Sequence, residues 1–293
     1  MQFTRAHLVI VAVLAVVAYA VSRQLLPRVE GLADPDPTNM PTGGLLGLLG
    51  GGPGRQIAVR QAGGRTAQRG RYPWIVNIRK ITKKKDGTPS QMQWCTGFLI
   101  SPTVVMSADH CFDDGETPSD FVLYIGGNMT DGSDGEQRAC KSIRVGGGPT
   151  RTGKDWALLK LYTPSKNAKP VKVDGLNAKI DLTKPRSVWS AGYGQGWGGQ
   201  RFSTLQINEL RLNYATTDTL QTDDYFEGER RSPCHGDSGG PLFIRGSDPS
   251  KDVVIGIVSG GDGKKLNKGV CTPGDGDGYY ARTSWVMSQL RKK

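Results

Sequence analysis

The sequence predicts an all-β protein that is rich in tight turns. Beyond residue 61 the apolar runs are short, and Gly, Pro, Asn or Asp interrupts them every ~8–12 residues, a spacing typical of β-sandwiches and β-barrels. Glycine contributes 41 of 293 residues, roughly twice its usual ~7%, which favours turns between short strands over a helix bundle. Hydrophobic residues make up 37% of the chain, which is enough for a globular core and excludes a chain disordered throughout.

The N-terminal segment, residues 1–20, has the pattern of a secretory signal peptide. Its apolar run at residues 8–21 follows Arg5 and is shorter than the ~20 residues that a membrane-spanning helix needs. Ala18 and Ala20 supply the small-x-small pattern of a cleavage site. We therefore expect a secreted, extracellular protein in which disulfides form. An uncleaved anchor is the alternative, and only in that case is a membrane an expected partner.

Residues 21–60 have the composition of a pro-segment or linker. Five prolines break any helix there, and residues 43–54 (GGLLGLLGGGPG) are of low complexity without an aromatic residue. Compact sequence begins at residue 61, where eleven apolar runs predict strands. The runs are residues 74–81, 93–101, 103–108, 121–125, 140–145, 156–162, 187–191, 205–212, 241–244, 253–259 and 279–283. A helix is predicted for residues 284–293, with Thr283 or Ser284 as its N-cap.

Histidine narrows the search for a catalytic base, because the chain has only three. His7 lies in the predicted signal peptide, which leaves His110 at the end of an apolar strand and His235 close to Ser238. Ser238 lies in a G-x-S-x-G pattern, which is typical of a nucleophile. No histidine follows Ser238, so the order Ser–Asp–His of lipases and esterases is disfavoured.

The remaining order, His–Asp–Ser, needs an aspartate between residues 110 and 238. Asp155 stands at the head of the apolar run DWALLKL and meets this requirement. The order Asp–His–Ser of subtilisin is disfavoured, because the aspartates well before His110 lie in linker-like or Lys-rich sequence.

Five segments in this order resemble the chymotrypsin/trypsin-like serine proteases: TGFLIS, SADHC, DWALLKL, CHGDSGGPL and GIVSGG. The resemblance covers residues 61–293, which it identifies as a serine protease domain. It implies two six-stranded antiparallel β-barrels with a C-terminal helix. It also implies a serine endopeptidase, a hydrolase that cleaves peptide bonds through an acyl-enzyme intermediate.

The resemblance assigns a role to each candidate catalytic residue. Ser238 is the expected nucleophile, His110 its general base, and Asp155 the group that orients His110. The main-chain N–H groups of Gly236 and Ser238 are expected to form the oxyanion hole. Read without the family, His110 and Asp155 are ordinary strand-end residues, and His235 is a loop residue at the lip of a cleft.

The resemblance also implies a primary specificity pocket. Its matching positions are Ser232 at the floor, Ser259 and Gly261 on the strand that pairs with the substrate, and Gly278, which keeps the pocket open. Ser232 favours a large apolar or aromatic substrate residue, whereas Asp275 and Asp277 in a Gly-rich loop leave a basic one open. Gly260 stands where the family usually has Trp.

The resemblance pairs four of the five cysteines, Cys95 with Cys111 and Cys234 with Cys271. Cys140 is left over, either as a buried thiol or as an intermolecular partner. No pair has C-x-x-C spacing, so no metal is expected at the cysteines, and no cofactor is expected.

Activation is expected by cleavage after Arg60, so that the new amino terminus at Gln61 pairs with Asp237. The spacing to the Pro-Trp pair at residues 73–74 fits the family, but Gln61 lacks the usual apolar side chain. Asp109 stands where the family usually has alanine, and an acid there is expected either to make the His110 imidazole more basic or to compete with Asp155 for it.

The remaining signals are short motifs and charge. Asn128 begins the only N-x-S/T sequon and is a predicted glycosylation site. Asp131, Asp134 and Glu136 are weak calcium candidates, because their spacing misses the EF-hand pattern. The net charge of +11 favours acidic surfaces, but no basic stripe interleaved with aromatic residues indicates specific nucleic-acid binding.

The expected partners are a protein or peptide substrate and a protein inhibitor, with the chain acting as a monomer. The alternative function is a weakly active or inactive protease homologue that acts as a basic binding protein. Gln61, Asp109, Gly260 and the positive charge favour that alternative.

Overall fold

The computed structural model describes residues 63–183, 186–261, 271–272 and 277–292, and all of them belong to a compact unit that begins at Gln56. The predicted signal peptide and linker lie outside the described residues, as do Arg60, Gln61 and Asp275. Within the described part of the chain, no helix combines the length and the apolar character needed to cross a membrane.

Sixteen strands and one α-helix make up the regular structure of the described residues. The strands are β1 Arg65–Thr66, β2 Ile75–Lys83, β3 Pro89–Ser101, β4 Val104–Ser107, β5 Phe121–Ile125, β6 Glu136–Val145, β7 Ala157–Leu161, β8 Lys172–Val173, β9 Arg186–Gly192, β10 Gln206–Ala215, β11 Thr219–Asp223, β12 Tyr225–Phe226, β13 Glu229–Arg230, β14 Pro241–Ile244, β15 Val253–Gly261 and β16 Gly278–Arg282. The helix, α1, is Thr283–Leu290.

The first six-stranded barrel closes in the order β2-β3-β4-β7-β6-β5, with every pair antiparallel. Strand β5 shows why these segments form strands: Phe121, Leu123 and Ile125 are buried, and the residues between them are half-buried. Alternate side chains of a strand point to opposite faces, so this pattern places one face in the barrel core.

The second barrel closes in the order β9-β10-β11-β16-β15-β14, because β9 pairs with both β10 and β14. Strands β1 and β8 extend this sheet by pairing with β10 and β15. Val188, Leu210 and Leu242 are fully buried in its core. The predicted fold class, two six-stranded antiparallel barrels followed by a C-terminal helix, is therefore confirmed.

Each of the eleven predicted strands is present, but the sequence pattern missed β11, the strand that completes the second barrel. Its sequence, TLQTD, has a single apolar residue, so it lacks a visible alternation. Leu220 and Thr222 are nevertheless its buried positions, and the Thr222 hydroxyl shares a hydrogen bond of 3.1 Å with the Tyr280 hydroxyl. A polar residue with a buried partner therefore takes the place of an apolar one.

The predicted helix start is wrong at its cap. Arg282 occupies the N-cap position of α1, and no side chain caps the helix. The Thr283 hydroxyl is buried and donates to the carbonyl oxygen of Val254 at 3.3 Å, so it is turned towards the barrel. Helix α1 thus gains a tertiary hydrogen bond where the sequence predicted a local one.

The two barrels meet where the candidate catalytic residues lie. The Thr96 amide of β3 donates to the Ser238 carbonyl oxygen at 2.9 Å, which joins the first barrel to the loop before β14. The short helical turn Asp109–Cys111, which follows β4, carries His110 to the same place. Asp155 lies two residues before β7, the strand that pairs with β4.

Candidate active site

Three residues that are distant in the sequence form one hydrogen-bonded chain. His110 Nε2 lies 2.8 Å from Ser238 Oγ, and His110 Nδ1 lies 2.9 Å from Asp155 Oδ2. The main-chain N–H of His110 also donates to Asp155 Oδ1 at 3.1 Å. The structure therefore brings together the three side chains for which the sequence predicted catalytic roles. This geometry allows a proton to pass from a serine hydroxyl to an oriented imidazole.

Asp155 is fully buried, so its carboxylate needs hydrogen-bond donors to offset the loss of water. His110 supplies two of them, and the Ser259 hydroxyl donates to Oδ2 as a third. Ser259 Oγ in turn accepts the main-chain N–H of Arg151 at 2.7 Å. The carboxylate is thus held from both barrels, and its position fixes that of His110.

The turn that presents Ser238 is stabilised by the aspartate before it. Asp237 is fully buried, and its Oδ1 and Oδ2 accept the main-chain N–H groups of Gly194 and Cys234, each at 2.9 Å. Gly236 has a φ of +93°, a left-handed conformation that glycine adopts without strain. The predicted pairing of Asp237 with a new amino terminus at Gln61 falls outside the described residues.

Neither proposed oxyanion donor, Gly236 N–H or Ser238 N–H, is bonded to an acceptor within the described part of the chain. The carbonyl oxygen of His235 accepts the Gln195 N–H at 2.8 Å. Because a trans peptide points its C=O and N–H in opposite directions, the Gly236 N–H faces away from Gln195. His235 itself is exposed at the lip of the cleft, as predicted.

A cavity of about 320 Å³ adjoins Ser238 on one side. Its lining includes His110, Ser232, the Cys234–Cys271 disulfide and the end of β15. Ser232 is buried, and its hydroxyl donates to the Pro233 carbonyl oxygen at 3.2 Å. Ser259 and Gly261 therefore line a pocket together with Ser232, as the sequence predicted.

Two other residues that the sequence placed at the pocket, Gly278 and Asp277, are not part of the lining of this cavity. Gly278 pairs with Thr222 and Gly261 in the sheet, and a Cβ on it would approach the Tyr280 hydroxyl oxygen to 2.7 Å. Its small size therefore serves packing between strands. The Asp277 carboxylate accepts a hydrogen bond from the Gln221 amide, so it is occupied within the sheet.

A larger cavity of about 710 Å³ also reaches Ser238 and His110, and the rest of its lining differs from that of the smaller cavity except at His235. Gln93 and Met129 contribute to its lining, and Thr130 joins its two walls: the Thr130 N–H donates to the Ser203 carbonyl oxygen at 2.9 Å. The two cavities together form a cleft that runs past the hydroxyl of Ser238.

Both predicted disulfides, Cys95–Cys111 and Cys234–Cys271, are present. The first joins β3 to the turn that carries His110, and the second joins two walls of the smaller cavity. Cys140 is a buried free thiol, and burial raises its pKa to about 11. This favours the buried-thiol interpretation over intermolecular pairing.

Asp109 does not compete for His110, contrary to the expectation. Its Oδ2 accepts the main-chain N–H groups of Gly147 and Gly148 at 2.6 and 3.1 Å. The carboxylate therefore faces the loop of residues 146–154, between β6 and β7, and Asp155 alone holds the imidazole. A side chain next to the base thus serves to anchor a loop.

The three weak calcium candidates do not share a site. Asp134 Oδ1 accepts the N–H groups of Asn128 and Met129, whereas Glu136 is hydrogen-bonded to Ser165 and Asp131 accepts the N–H of Ser133. Across the described residues, no group of three His, Cys, Asp or Glu side chains is arranged to hold a metal ion.

Three residues at this site were missed by the sequence interpretation. The Gly236 carbonyl oxygen accepts the Thr96 hydroxyl at 2.8 Å and the Gln93 side-chain amide at 3.0 Å, and both donors come from β3. Arg151 lines the smaller cavity beside His110. No local motif marks these residues, because each acquires its role from a partner far away in the sequence.

Comparison with known proteins agrees with this architecture. The family model described as Trypsin matches residues 61–276. A trypsin-like protease of Streptomyces glaucescens is 25% identical over 250 residues, which cover 80% of this chain and 82% of the relative. The venom peptide isomerase heavy chain of Agelenopsis aperta is 28% identical, over 68% of this chain and 89% of the relative.

A third relative, the transmembrane protease serine 9 of Rattus norvegicus, is 25% identical over 80% of this chain but only 22% of its own length. The match therefore concerns a part of that longer protein. The family model spans well over half of the present chain and includes the segments that carry His110, Asp155 and Ser238. The chain thus belongs to the chymotrypsin/trypsin-like family of serine proteases.

Proposed function

We propose that this chain is a secreted serine endopeptidase that hydrolyses peptide bonds through an acyl-enzyme intermediate. The observation that carries the proposal is the 2.8 Å contact between His110 Nε2 and Ser238 Oγ, with the buried Asp155 behind the imidazole. A hydroxyl becomes an effective nucleophile when a base within hydrogen-bond reach removes its proton. Membership of a serine protease family supports the same reaction and a protein or peptide as the substrate.

The proposed reaction gives each group one step. Ser238 Oγ attacks the carbonyl carbon of the scissile bond while His110 Nε2 accepts the hydroxyl proton. The negative charge that develops on the carbonyl oxygen is stabilised by the N–H groups of Gly236 and Ser238. His110 then gives its proton to the leaving amine. A water molecule next attacks the acyl carbon while His110 Nε2 accepts its proton, and His110 returns that proton to Ser238 Oγ as the acid product leaves. Asp155 keeps Nδ1 protonated and stabilises the imidazolium.

The smaller cavity supports a preference for a large apolar or aromatic residue before the scissile bond. Ser232 is uncharged, and Asp277, whose carboxylate accepts a hydrogen bond from Gln221, is not among the described residues that line this cavity. The two disulfides support export to an oxidising compartment, and a signal peptide at residues 1–20 supplies the route. Activation by cleavage between Arg60 and Gln61 remains part of the proposal, as do the monomeric state and a protein inhibitor in the cleft.

Labelling with a serine-directed organophosphate tests this function. We expect one label per chain at Ser238, loss of the label in Ser238→Ala, and full labelling in the control Ser119→Ala, which changes an exposed serine. Labelled chains should also lose the ability to cleave a peptide library. An inactive homologue that acts as a basic binding protein would take up no label and would cleave nothing. N-terminal sequencing of the secreted chain tests the cleavage site, since a start at a residue other than Gln61 contradicts it.

A further inference from the structure

The backbone of Arg151 is held in an unusual and well-fixed position beside the catalytic residues. Its φ is +65°, in the left-handed region that residues other than glycine seldom adopt. Its N–H donates to Ser259 Oγ at 2.7 Å, and Ser259 in turn donates to Asp155. The same loop is anchored at Gly147 by Asp109. The position of Arg151 is thus set by residues that also define the active site.

The side chain of Arg151 is exposed and lies along the end of β15. Its guanidinium carbon is 5.4 Å from the centre of the Tyr279 ring, an arrangement that favours a cation over the ring face. A Cβ built on Gly260 would lie 3.8 Å from Arg151 Cγ. Because Gly260 has no side chain, the arginine has an open space beside it, next to the cavity that reaches Ser238.

Arg151 carries a positive charge that the described residues do not neutralise. It is the only Lys, Arg, Asp or Glu among the described residues that line the smaller cavity. The carboxylates that contact its loop or its hydrogen-bond partner have other partners. Asp109 accepts two loop amides, and Asp155 accepts His110 and Ser259. Asp218 accepts the Gly153 N–H and the Thr216 hydroxyl. Among the ion pairs of the described residues, none joins a carboxylate to Arg151. A partly exposed cation of this kind attracts an acidic side chain.

An extended substrate brings particular side chains to Arg151. With the residue before the scissile bond in the cavity above Ser232, the preceding residues run along residues 259–261, the end of β15 that pairs with β16 on one edge only. Alternate side chains of an extended chain point to opposite sides. The second and fourth side chains before the scissile bond therefore point away from Ser232. Arg151 borders the same cavity at its His110 end, where its N–H is bonded to Ser259 Oγ beside Asp155. These two substrate side chains are therefore the ones placed to reach Arg151.

We propose that Arg151 makes this cleft selective for substrates with Asp or Glu at the second or fourth position before the scissile bond. The inference rests on the proposed function and specifies its substrate class: peptides with an acidic residue shortly before the cleaved bond. It also gives Gly260 a role, because a large side chain there would fill the space beside the guanidinium.

Matched peptide substrates test this proposal. Each pair differs only by Glu or Gln at the second or the fourth position, so the shape is kept and the charge is removed. For one of the two positions we expect the Glu peptide to have a kcat/KM about 3- to 5-fold higher at low salt, as for a partly exposed ion pair. Raising the salt concentration to ~1 M should bring the ratio towards 1, because the Debye length falls to about 3 Å.

The variants are chosen to keep the backbone in place. Arg151→Asn removes the charge and tolerates the left-handed conformation, so the Glu/Gln ratio should fall to about 1. Arg151→Lys keeps a charge at the site and should keep most of the preference. Lys154→Gln is the matched control, because Lys154 is an exposed cation of the same loop that does not line the cavity. It should leave the ratio unchanged.

Two outcomes overturn the inference while leaving the proposed function intact: equal rates for Glu and Gln peptides at both positions, or a preference that persists in Arg151→Asn. A chain that takes up no organophosphate and cleaves no peptide contradicts the proposed function instead. In that case, fluorescence anisotropy of the same peptides bound to Ser238→Ala decides about the site. The role of Arg151 is supported if Ser238→Ala binds the Glu peptide more tightly than the Gln peptide and the double variant Ser238→Ala/Arg151→Asn does not. Equal binding of the two peptides to Ser238→Ala overturns that role.

Discussion

Asp155 holds His110 at two points: one carboxylate oxygen accepts the main-chain N–H of His110 at 3.1 Å, and the other lies 2.9 Å from the ring Nδ1. The first contact fixes the short turn that presents the imidazole. The second fixes the ring itself and keeps the proton on Nδ1, so that Nε2 is left to accept the proton of Ser238.

Replacing Asp155 by asparagine should therefore preserve the fold but remove most of the activity. The amide keeps the size of the side chain, yet it no longer selects the tautomer in which Nε2 is a base. We expect Asp155→Asn to lower kcat by about 10⁴-fold while KM changes little. Asp114→Asn, at an exposed aspartate of the loop after His110, is the control and should have no effect. Wild-type kcat in Asp155→Asn would show that this carboxylate does not orient the base.

Ser259 connects the proposed substrate site to the catalytic residues, because its hydroxyl accepts the Arg151 N–H and donates to Asp155. Ser259→Ala leaves a buried carboxylate with one donor fewer and a loop amide without its acceptor. We expect the free energy of unfolding to fall by about 1–3 kcal/mol and kcat/KM to fall several-fold. Urea unfolding and peptide hydrolysis measure the two effects.

Ser190→Ala provides a matched control for Ser259→Ala. Ser190 is also fully buried, but its hydroxyl has no hydrogen-bond partner in the described part of the chain. Its removal should be neutral or slightly stabilising, because a buried polar atom without a partner costs free energy. Equal losses of unfolding free energy and of kcat/KM in Ser259→Ala and Ser190→Ala would mean that the Ser259 hydrogen bonds contribute nothing to stability or activity beyond the loss of a buried hydroxyl.

The Asp109 carboxylate anchors the 146–154 loop through two amides. In Asp109→Ala these amides lose their acceptor, so we expect faster hydrogen exchange in a peptide that covers the loop and a loss of stability of about 1 kcal/mol. Asp113→Ala, at an exposed neighbour, should leave the exchange unchanged. If Asp109 instead competed for His110, its removal would raise kcat without changing the loop.

The sequence was sufficient to predict the barrels and to select the three side chains that meet at the candidate active site, because both have local signals. Apolar runs mark the strands, and the segments around His110, Asp155 and Ser238 resemble the family closely. Sequence patterns did not predict the role of a residue where that role depends on a partner distant in the sequence. Strand β11 is held by the contact of Thr222 with Tyr280, and neither residue alone indicates a barrel strand.

The same limit explains the errors at the site. Asp109 is adjacent to His110 in the sequence, yet its side chain faces amides from a loop more than thirty residues away. Arg151 could not be assigned a function from the sequence, since its position depends on Ser259, Gly260 and Tyr279, all distant in the chain. The position of Asp109 next to His110 in the sequence therefore predicted a competitor for the imidazole, whereas in the folded chain Asp109 anchors a loop.

Cys140 should be inaccessible to thiol reagents in the folded protein. Burial raises the pKa of its thiol from about 9 to about 11, so folding favours the protonated form. Because the folded pKa is raised, the contribution of the neutral Cys140 thiol to the free energy of unfolding is fully present below about pH 9. It is lost as the pH rises through about 11. A thiol reagent at pH 8 should detect no thiol in the native chain and one after denaturation without reduction.

Cys140→Ala provides the control and should show no thiol in either state. A thiol that reacts rapidly in the native protein would contradict the buried position. Two or more thiols after denaturation without reduction would instead contradict the disulfides Cys95–Cys111 and Cys234–Cys271.

The largest single loss of stability is expected from the buried ion pair between Arg71 and Asp252. The guanidinium donates to both carboxylate oxygens, at 2.6 and 2.9 Å, and the two side chains are 9% and 0% exposed. Arg71→Met leaves the Asp252 charge buried without its cation, so the free energy of unfolding should fall by about 3–5 kcal/mol. The double variant Arg71→Met/Asp252→Leu should lose less than the sum of the single variants, because it leaves no buried charge. Denaturant unfolding of all four proteins measures this coupling, and strictly additive losses would mean that the pair contributes no interaction of its own.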